Sequence, residues 1–160
     1  EQVANLYIGP LLNTPGGAPI STVDLREPDL ERHRRFRQAL EAAREAVLEP
    51  GDAIYMPALW WHGVEALDDL NVLVNYWWNE VPLGADNPFH SLLHAMLAVA
   101  RLPADQRRSW GAIFDHLVFE RDTDTGGHLP ADLKDVQGSL TGDERAQVRQ
   151  WLANQLSPKR

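Results

Sequence analysis

A single imidazole stands in the most aromatic stretch of this sequence. His62 follows Trp60-Trp61, and Asn75 comes later within Val72-Leu73-Val74-Asn75-Tyr76-Trp77, just ahead of Trp78. A neutral imidazole in a dry, aromatic setting can ligate iron, zinc or copper through its ring lone pair. A lone histidine beside two indoles is also the ordinary pattern of a packed side chain, and the residue types leave both readings open. A facial iron triad needs a second histidine and a carboxylate. None of the six histidines has an acid two residues later, so a His-x-Asp or His-x-Glu pair cannot complete the triad within these residues.

The other candidates are weaker. Asn75 sits in an apolar run, where a buried amide must find partners in a ligand carboxylate or a neighbouring backbone. Trp60, Trp61, Trp77 and Trp78 can line a pocket, although packing a core is the more frequent use of tryptophan. His90 and His94 have the i,i+4 spacing that clamps zinc on a helix, but no Glu lies between them and no third donor is evident. They read as helix-surface side chains, and His116 and His128 have no partner pattern. Arg32, His33, Arg34, Arg35 and Arg37 gather positive charge, and Glu27, Asp29, Glu31 and Glu41 are there to neutralise it as a solvated face. There is no phosphate-binding glycine motif, no Gly-x-Ser-x-Gly elbow and no cysteine nucleophile.

The elements that must position these residues follow from turn and helix signals. Pro50-Gly51-Asp52 is a turn, because Pro presets φ, Gly tolerates positive φ and Asp bonds its own backbone. Ala46-Val47-Leu48 leads into it as a strand, and Ala53 to Met56 leaves it as a strand that Pro57 stops. Val72 to Trp77 reads as a further strand. Upstream, Ala4 to Ile8 is a strand, 14–19 a turn-rich loop, and Ile20 to Leu25 an edge strand. Pro28-Asp29 opens a helix over Leu30 to Ala43, ending near Ala42. Val81 to Gly84 reads as a linker. Asp86-Asn87-Pro88 then starts a helix with the apolar stripe Phe89, Leu92, Leu93, Met96, Leu97 and Ala100. Pro103 restarts the chain as a helix bearing Trp110, Ile113, Phe114 and Leu117. Asp122 to Gly127 is a loop, and Pro130 to Val136 is a short helix closed by Gly138. Thr141 and Glu144 form a capping box before a last helix with Val148, Trp151, Leu152 and Leu156. Strands first and helices second favour an α+β chain or a β-domain with a helical appendage. The apolar helix faces suit a homodimer interface.

Bulk properties set the frame. A chain of 160 residues with 44% hydrophobic content and six Trp can build a core, so wholesale disorder is excluded. A net charge of −8 argues against broad nucleic-acid or anionic-membrane binding. No apolar run approaches the ~20 residues of a membrane span, and a soluble, cytoplasmic protein is the expectation. The chain opens at Glu1 and almost at once enters Leu6-Tyr7-Ile8, which points to a fragment of a longer protein.

Leu48 to His62, followed by Val72 to Trp78, resembles the distal half of the cupin-like JmjC hydroxylases, the group related to the asparaginyl hydroxylase that acts on hypoxia-inducible factor. Tyr7-Ile8-Gly9-Pro10, Ser21-Thr22-Val23-Asp24, Pro28 to Arg32 and Phe36 match the same group in order. The resemblance implies a mainly β plus α chain. Residues 1–80 would form the distal half of a double-stranded β-helix (a jelly roll), and 81–160 a C-terminal helical region of dimerisation type. It implies Fe(II) and 2-oxoglutarate as cofactors, His62 as the distal iron ligand, and Asn75 and Trp77 beside the co-substrate and iron site. Substrates would be a protein side chain or a small molecule. The family's His-x-Asp motif and 2-oxoglutarate-binding Lys are absent, since the only lysines are Lys134 and Lys159. The 160 residues alone are therefore expected to be inactive. The alternatives are a non-catalytic cupin-like binding and dimerisation module and, with a poorer fit to the motif, a zinc- or manganese-dependent cupin.

Overall fold

Gly51 adopts φ +101°, a conformation that side-chain-bearing residues avoid, and so lets the chain reverse at Pro50-Gly51-Asp52. The Asp52 amide closes this turn on the Glu49 carbonyl at 3.0 Å, and the Asp52 carboxylate accepts the Glu49 N–H at 3.0 Å. This computed structural model describes residues 2–12, 19–78, 86–120 and 124–157. The chain divides into two compact units, Glu1–Tyr76 and Trp77–Arg160.

In the first unit the expected strands do not form. Ala4 to Ile8 instead begins as a single 3-10 turn, Val3–Asn5. Only Ile8 pairs, in an isolated antiparallel bridge with Ser21, flanked by Gly9 N–H to Ile20 O (2.8 Å) and Thr22 N–H to Tyr7 O (3.0 Å). Ala46 to Leu48, Ala53 to Met56 and Val72 to Trp77 carry no ladder at all. The mainly β plus α architecture, with a double-stranded β-helix half, is thus not present among the described residues. The reason is physical. β propensity is local, but a strand exists only when another segment takes up its N–H and C=O groups. Val72-Leu73-Val74 is apolar on both faces and needs cover on both, yet all three side chains are exposed.

What the first unit does possess is a small core. Val23 (7% exposed) and Phe36 (2% exposed) are its buried hydrophobic side chains among the described residues. Phe36 opens helix α1, Phe36–Ala42, which ends where the sequence suggested but starts later. Residues 29 to 35 are turns instead: the Asp29 carboxylate accepts the N–H groups of Glu31 (3.1 Å) and Arg32 (2.9 Å), and its carbonyl accepts that of His33 (2.8 Å). Like charges at i,i+3, Arg32 with Arg35 and Arg34 with Arg37, disfavour a helix here. Tyr7 draws the same residues inward. Its ring meets His33 edge-on at 4.8 Å, lies under the Arg35 guanidinium at 5.4 Å, and its hydroxyl accepts the Arg35 N–H at 3.2 Å. These contacts hold Tyr7 at φ +49°, a strained value for an aromatic residue.

The second unit follows its helix signals closely. Helix α2 is Pro88–Ala98, capped by the Asn87 side chain, which accepts the Phe89 N–H at 2.9 Å. Helix α3 is Ala104–Phe114, continued by a wider π turn over Asp115–Phe119. Two 3-10 turns, Ala131–Leu133 and Asp135–Gln137, stand where one short helix was expected. Helix α4, Gly142–Leu156, begins at the expected capping box: Thr141 Oγ1 accepts the Glu144 N–H at 3.3 Å, and Glu144 Oε2 accepts the Thr141 N–H at 2.8 Å. The loop expected over 14–19 lies, but for Pro19, outside the described residues, as do the linker Val81 to Gly84, the start of the 122–127 loop, and Lys159.

Two outcomes follow from this packing. Phe36→Ala removes the largest buried side chain and is expected to cost about 3 kcal/mol, read as a lowered urea midpoint for the first unit. In the second unit, the Thr141 backbone N–H and then its hydroxyl hold the Glu144 carboxyl below its ordinary pKa. That contribution is present above the ordinary carboxylate range and is lost as pH falls through the lowered value. The melting temperature of α4 should therefore fall on acidification below about pH 4, and Glu144→Gln, which keeps the capping geometry, should flatten that dependence.

Candidate functional site

The segment that carries His62 is built by a turn without glycine. The Trp60 N–H donates to the Pro57 carbonyl at 3.2 Å, and Leu59, at the third position, takes φ +64°. A non-glycine residue in this left-handed region stores roughly 1–2 kcal/mol of strain. Leu59 gains nothing from packing in return, since it is 97% exposed. The turn ends in Trp60 and leads at once into Trp61-His62. The His62 Nδ1 lies 3.0 Å from the Trp60 carbonyl oxygen. A carbonyl can only accept, so a hydrogen bond here has Nδ1 as its donor, and in the neutral ring that tautomer would leave the lone pair on Nε2. Metal-binding histidines commonly have this arrangement.

On either side the segment is tied to the rest of the first unit. Arg44 sits over the Trp60 ring at 5.8 Å, a cation–π contact worth about 0.5–1 kcal/mol when exposed. Arg26 Nη2 meets Glu65 Oε1 at 2.9 Å, an exposed pair worth at most about 1 kcal/mol. Neither tie was visible in the sequence, because complementary charge does not say which of many acids an arginine meets. The Leu59 turn was equally hidden, as Pro-Ala-Leu-Trp lacks the Gly or Asn that marks a left-handed position.

The other predicted site residues are open to solvent. Asn75 is exposed, so water can satisfy its amide. Trp77 belongs to the second unit by its packing and is 84% exposed. Trp60 and Trp78 are also exposed. His90 and His94 lie exposed on α2. No three His, Cys, Asp or Glu side chains converge on a metal position among the described residues. The nearest acid after His62, Glu65, is engaged by Arg26. Fe(II) therefore does not fit the donors present: one imidazole is offered where a facial triad needs three groups.

The clefts lie elsewhere. One, of about 420 Å³, is bounded in the second unit by Asp86, Leu140, Arg145, Val148, Arg149 and Leu152. Its charges are largely spent on each other. Arg149 Nε donates to Asp86 Oδ1 at 2.7 Å, and this hydrogen bond, with the nearby positive charge of Arg149 and Arg145, holds the Asp86 carboxyl below its ordinary pKa. A neighbouring cleft of about 910 Å³ contains the Lys134–Asp124 ion pair at 3.0 Å. Neither contains a residue picked out by the sequence as a candidate ligand.

A family model described as a cupin-like domain matches residues 1–84, just over half of the chain. The chain belongs to the cupin-like domain family. Its relatives are of the JmjC type. It is 41% identical over 59 residues to lysine-specific demethylase 8 of Xenopus tropicalis, which is 37% of this chain and 13% of that protein. It is 40% identical over 58 residues to lysine-specific demethylase JMJ31 of Arabidopsis thaliana, covering 36% and 10%. The likeness to tRNA wybutosine-synthesizing protein 5 of Danio rerio is 31% over 106 residues, covering 57% and 32%. The chain thus spans between a tenth and a third of the length of these relatives. No solved structure matches it significantly.

The Leu59 turn yields a ranking. At a left-handed, exposed position Leu59→Gly should raise stability by about 0.5 kcal/mol, since relief of strain exceeds the added chain entropy. Leu59→Val, branched at Cβ, should lower it by about 1 kcal/mol. Denaturant titration of the three proteins checks the order.

Proposed function

We propose that this chain carries the distal portion of an Fe(II)- and 2-oxoglutarate-dependent oxygenase of the JmjC cupin type, with His62 as its imidazole ligand. The observation that carries the reading is the match of residues 1–84 to the cupin-like family, with relatives of the JmjC type. Within that span His62 of the Trp-Trp-His motif is exposed, and its Nδ1 lies 3.0 Å from the Trp60 carbonyl, a geometry that would leave Nε2 for a metal when Nδ1 donates. Asn75 and Trp77 would flank the co-substrate, and the remaining metal donors would come from residues other than those described. The substrate would be a protein side chain or a small molecule. A net charge of −8 disfavours nucleic acid, although one relative is named for work on tRNA. No helix among the described residues is long and apolar enough to cross a membrane, and a cytoplasmic location is part of this proposal.

In the full-length protein, His62→Ala should abolish stoichiometric Fe(II) retention and 2-oxoglutarate turnover together, measured by metal analysis and succinate release. If the unsubstituted protein turns over 2-oxoglutarate and His62→Ala changes neither quantity, the reading fails. The 160 residues alone should retain Fe(II) well below one equivalent.

A second reading, a non-catalytic binding and dimerisation module, is favoured by the single imidazole and by the exposed apolar helix faces. Leu97 of α2 and Trp151 of α4 are 71% and 60% exposed. In either reading the helical unit pairs with a second copy. Light scattering should give twice the 18.0 kDa chain mass, and Trp151→Asp should return it to the monomer.

A further inference from the structure

The short stretch Ser21 to Arg26 is more tightly organised than its exposure suggests. Ser21 Oγ donates to the Leu6 carbonyl and accepts the Val23 N–H at 3.1 Å. Val23 is buried, and the Asp24 carboxylate accepts the Arg26 N–H at 2.8 Å in an Asx turn. Leu25 and Arg26 lie in this turn and are exposed. Both land on the residues directly after His62. The Leu25 Cδ1 comes so close to Gly63 that a Cβ there would stand 2.8 Å from it. Arg26 grips Glu65.

The structure assigns Leu25 and Arg26 as positioning residues for the His62 imidazole. They fix Gly63 and Glu65 against the Val23 turn, while the Pro57–Trp60 turn and Arg44 fix the residues before His62. The chain between is thereby held in the bend that places the Trp60 carbonyl under Nδ1. Without that bend the imidazole is free to choose its tautomer, because the choice is set by the hydrogen bond the other ring nitrogen makes. Gly63 admits the bracket: a side chain there would push Leu25 aside. The use of the exposed Nε2 lone pair rests on the oxygenase reading, whereas the bracket and the tautomer do not.

The test is the 15N spectrum of the His62 ring in the labelled 160-residue chain, recorded well above the usual imidazole pKa of about 6.5. The expected signal is protonated Nδ1 and unprotonated Nε2. Arg26→Gln, Glu65→Gln and Leu25→Ala should each lower the ratio of Nδ1–H to Nε2–H tautomer by about two- to fivefold, the range that one exposed contact supports. The charge swap, Arg26→Glu with Glu65→Arg, should restore it, which general loosening of the fold would not. Gly63→Val should lower the ratio without touching the ion pair. An unchanged ratio in all these variants, or failure of the swap to restore it, overturns the assignment. So does a predominant Nε2–H form in the unsubstituted chain. Should Leu25→Ala unfold, the Glu65→Gln and swap pair still decides. Loss of the oxygenase reading, seen as metal retention in the full-length protein indifferent to His62, leaves this spectrum untouched.

Discussion

Extended backbone is stable only when a second segment takes up its hydrogen bonds, and that constraint governs the first unit. Its β-prone runs are present, but a single bridge, Ile8 with Ser21, is paired among the described residues. Order comes instead from side chains that bond to backbone, such as Ser21, Asp24, Asp29 and Asp52, and from one buried phenylalanine. Phe36 and Val23 supply the apolar anchor, and the Tyr7 ring links the N-terminal residues to the turn before α1. Each polar contact is worth about 1 kcal/mol, so the arrangement depends on several acting together.

The His62 segment inherits its geometry from this frame. A strained Leu59 turn precedes it, and the Val23 turn supports it from the other side. Strain in an exposed residue next to a candidate ligand is a cost that local sequence preference would not choose. Here it is accompanied by the approach of His62 Nδ1 to the Trp60 carbonyl at 3.0 Å, a geometry that favours a proton on Nδ1 in the neutral ring.

The second unit is built differently. Its helices are started by Asn87, Pro103 and Thr141 and need few distant contacts to exist. Their apolar faces nonetheless remain substantially exposed. Caps and propensity suffice for local helix, but they do not bury the stripes that the amphipathic pattern provides.

The helical half was legible because helix signals are local: the Asn87 cap, Pro at the first turn and the Thr141/Glu144 box all act within four residues. The Pro50-Gly51-Asp52 turn was legible for the same reason, and so was the family, which lies in ordered motifs around Trp60-Trp61-His62. The strand assignments were not, because Val72 to Trp77 records a preference for extension and says nothing of whether a partner is at hand. The start of α1 moved from Leu30 to Phe36 because Tyr7, far away in sequence, claimed His33 and Arg35. By itself, then, the sequence determined the caps, the turn and the family. Tertiary structure alone decided that Leu59 is left-handed, that Arg26 chooses Glu65, and that His62 Nδ1 faces the Trp60 carbonyl. Those outcomes depend on which distant groups meet, and no local pattern records that.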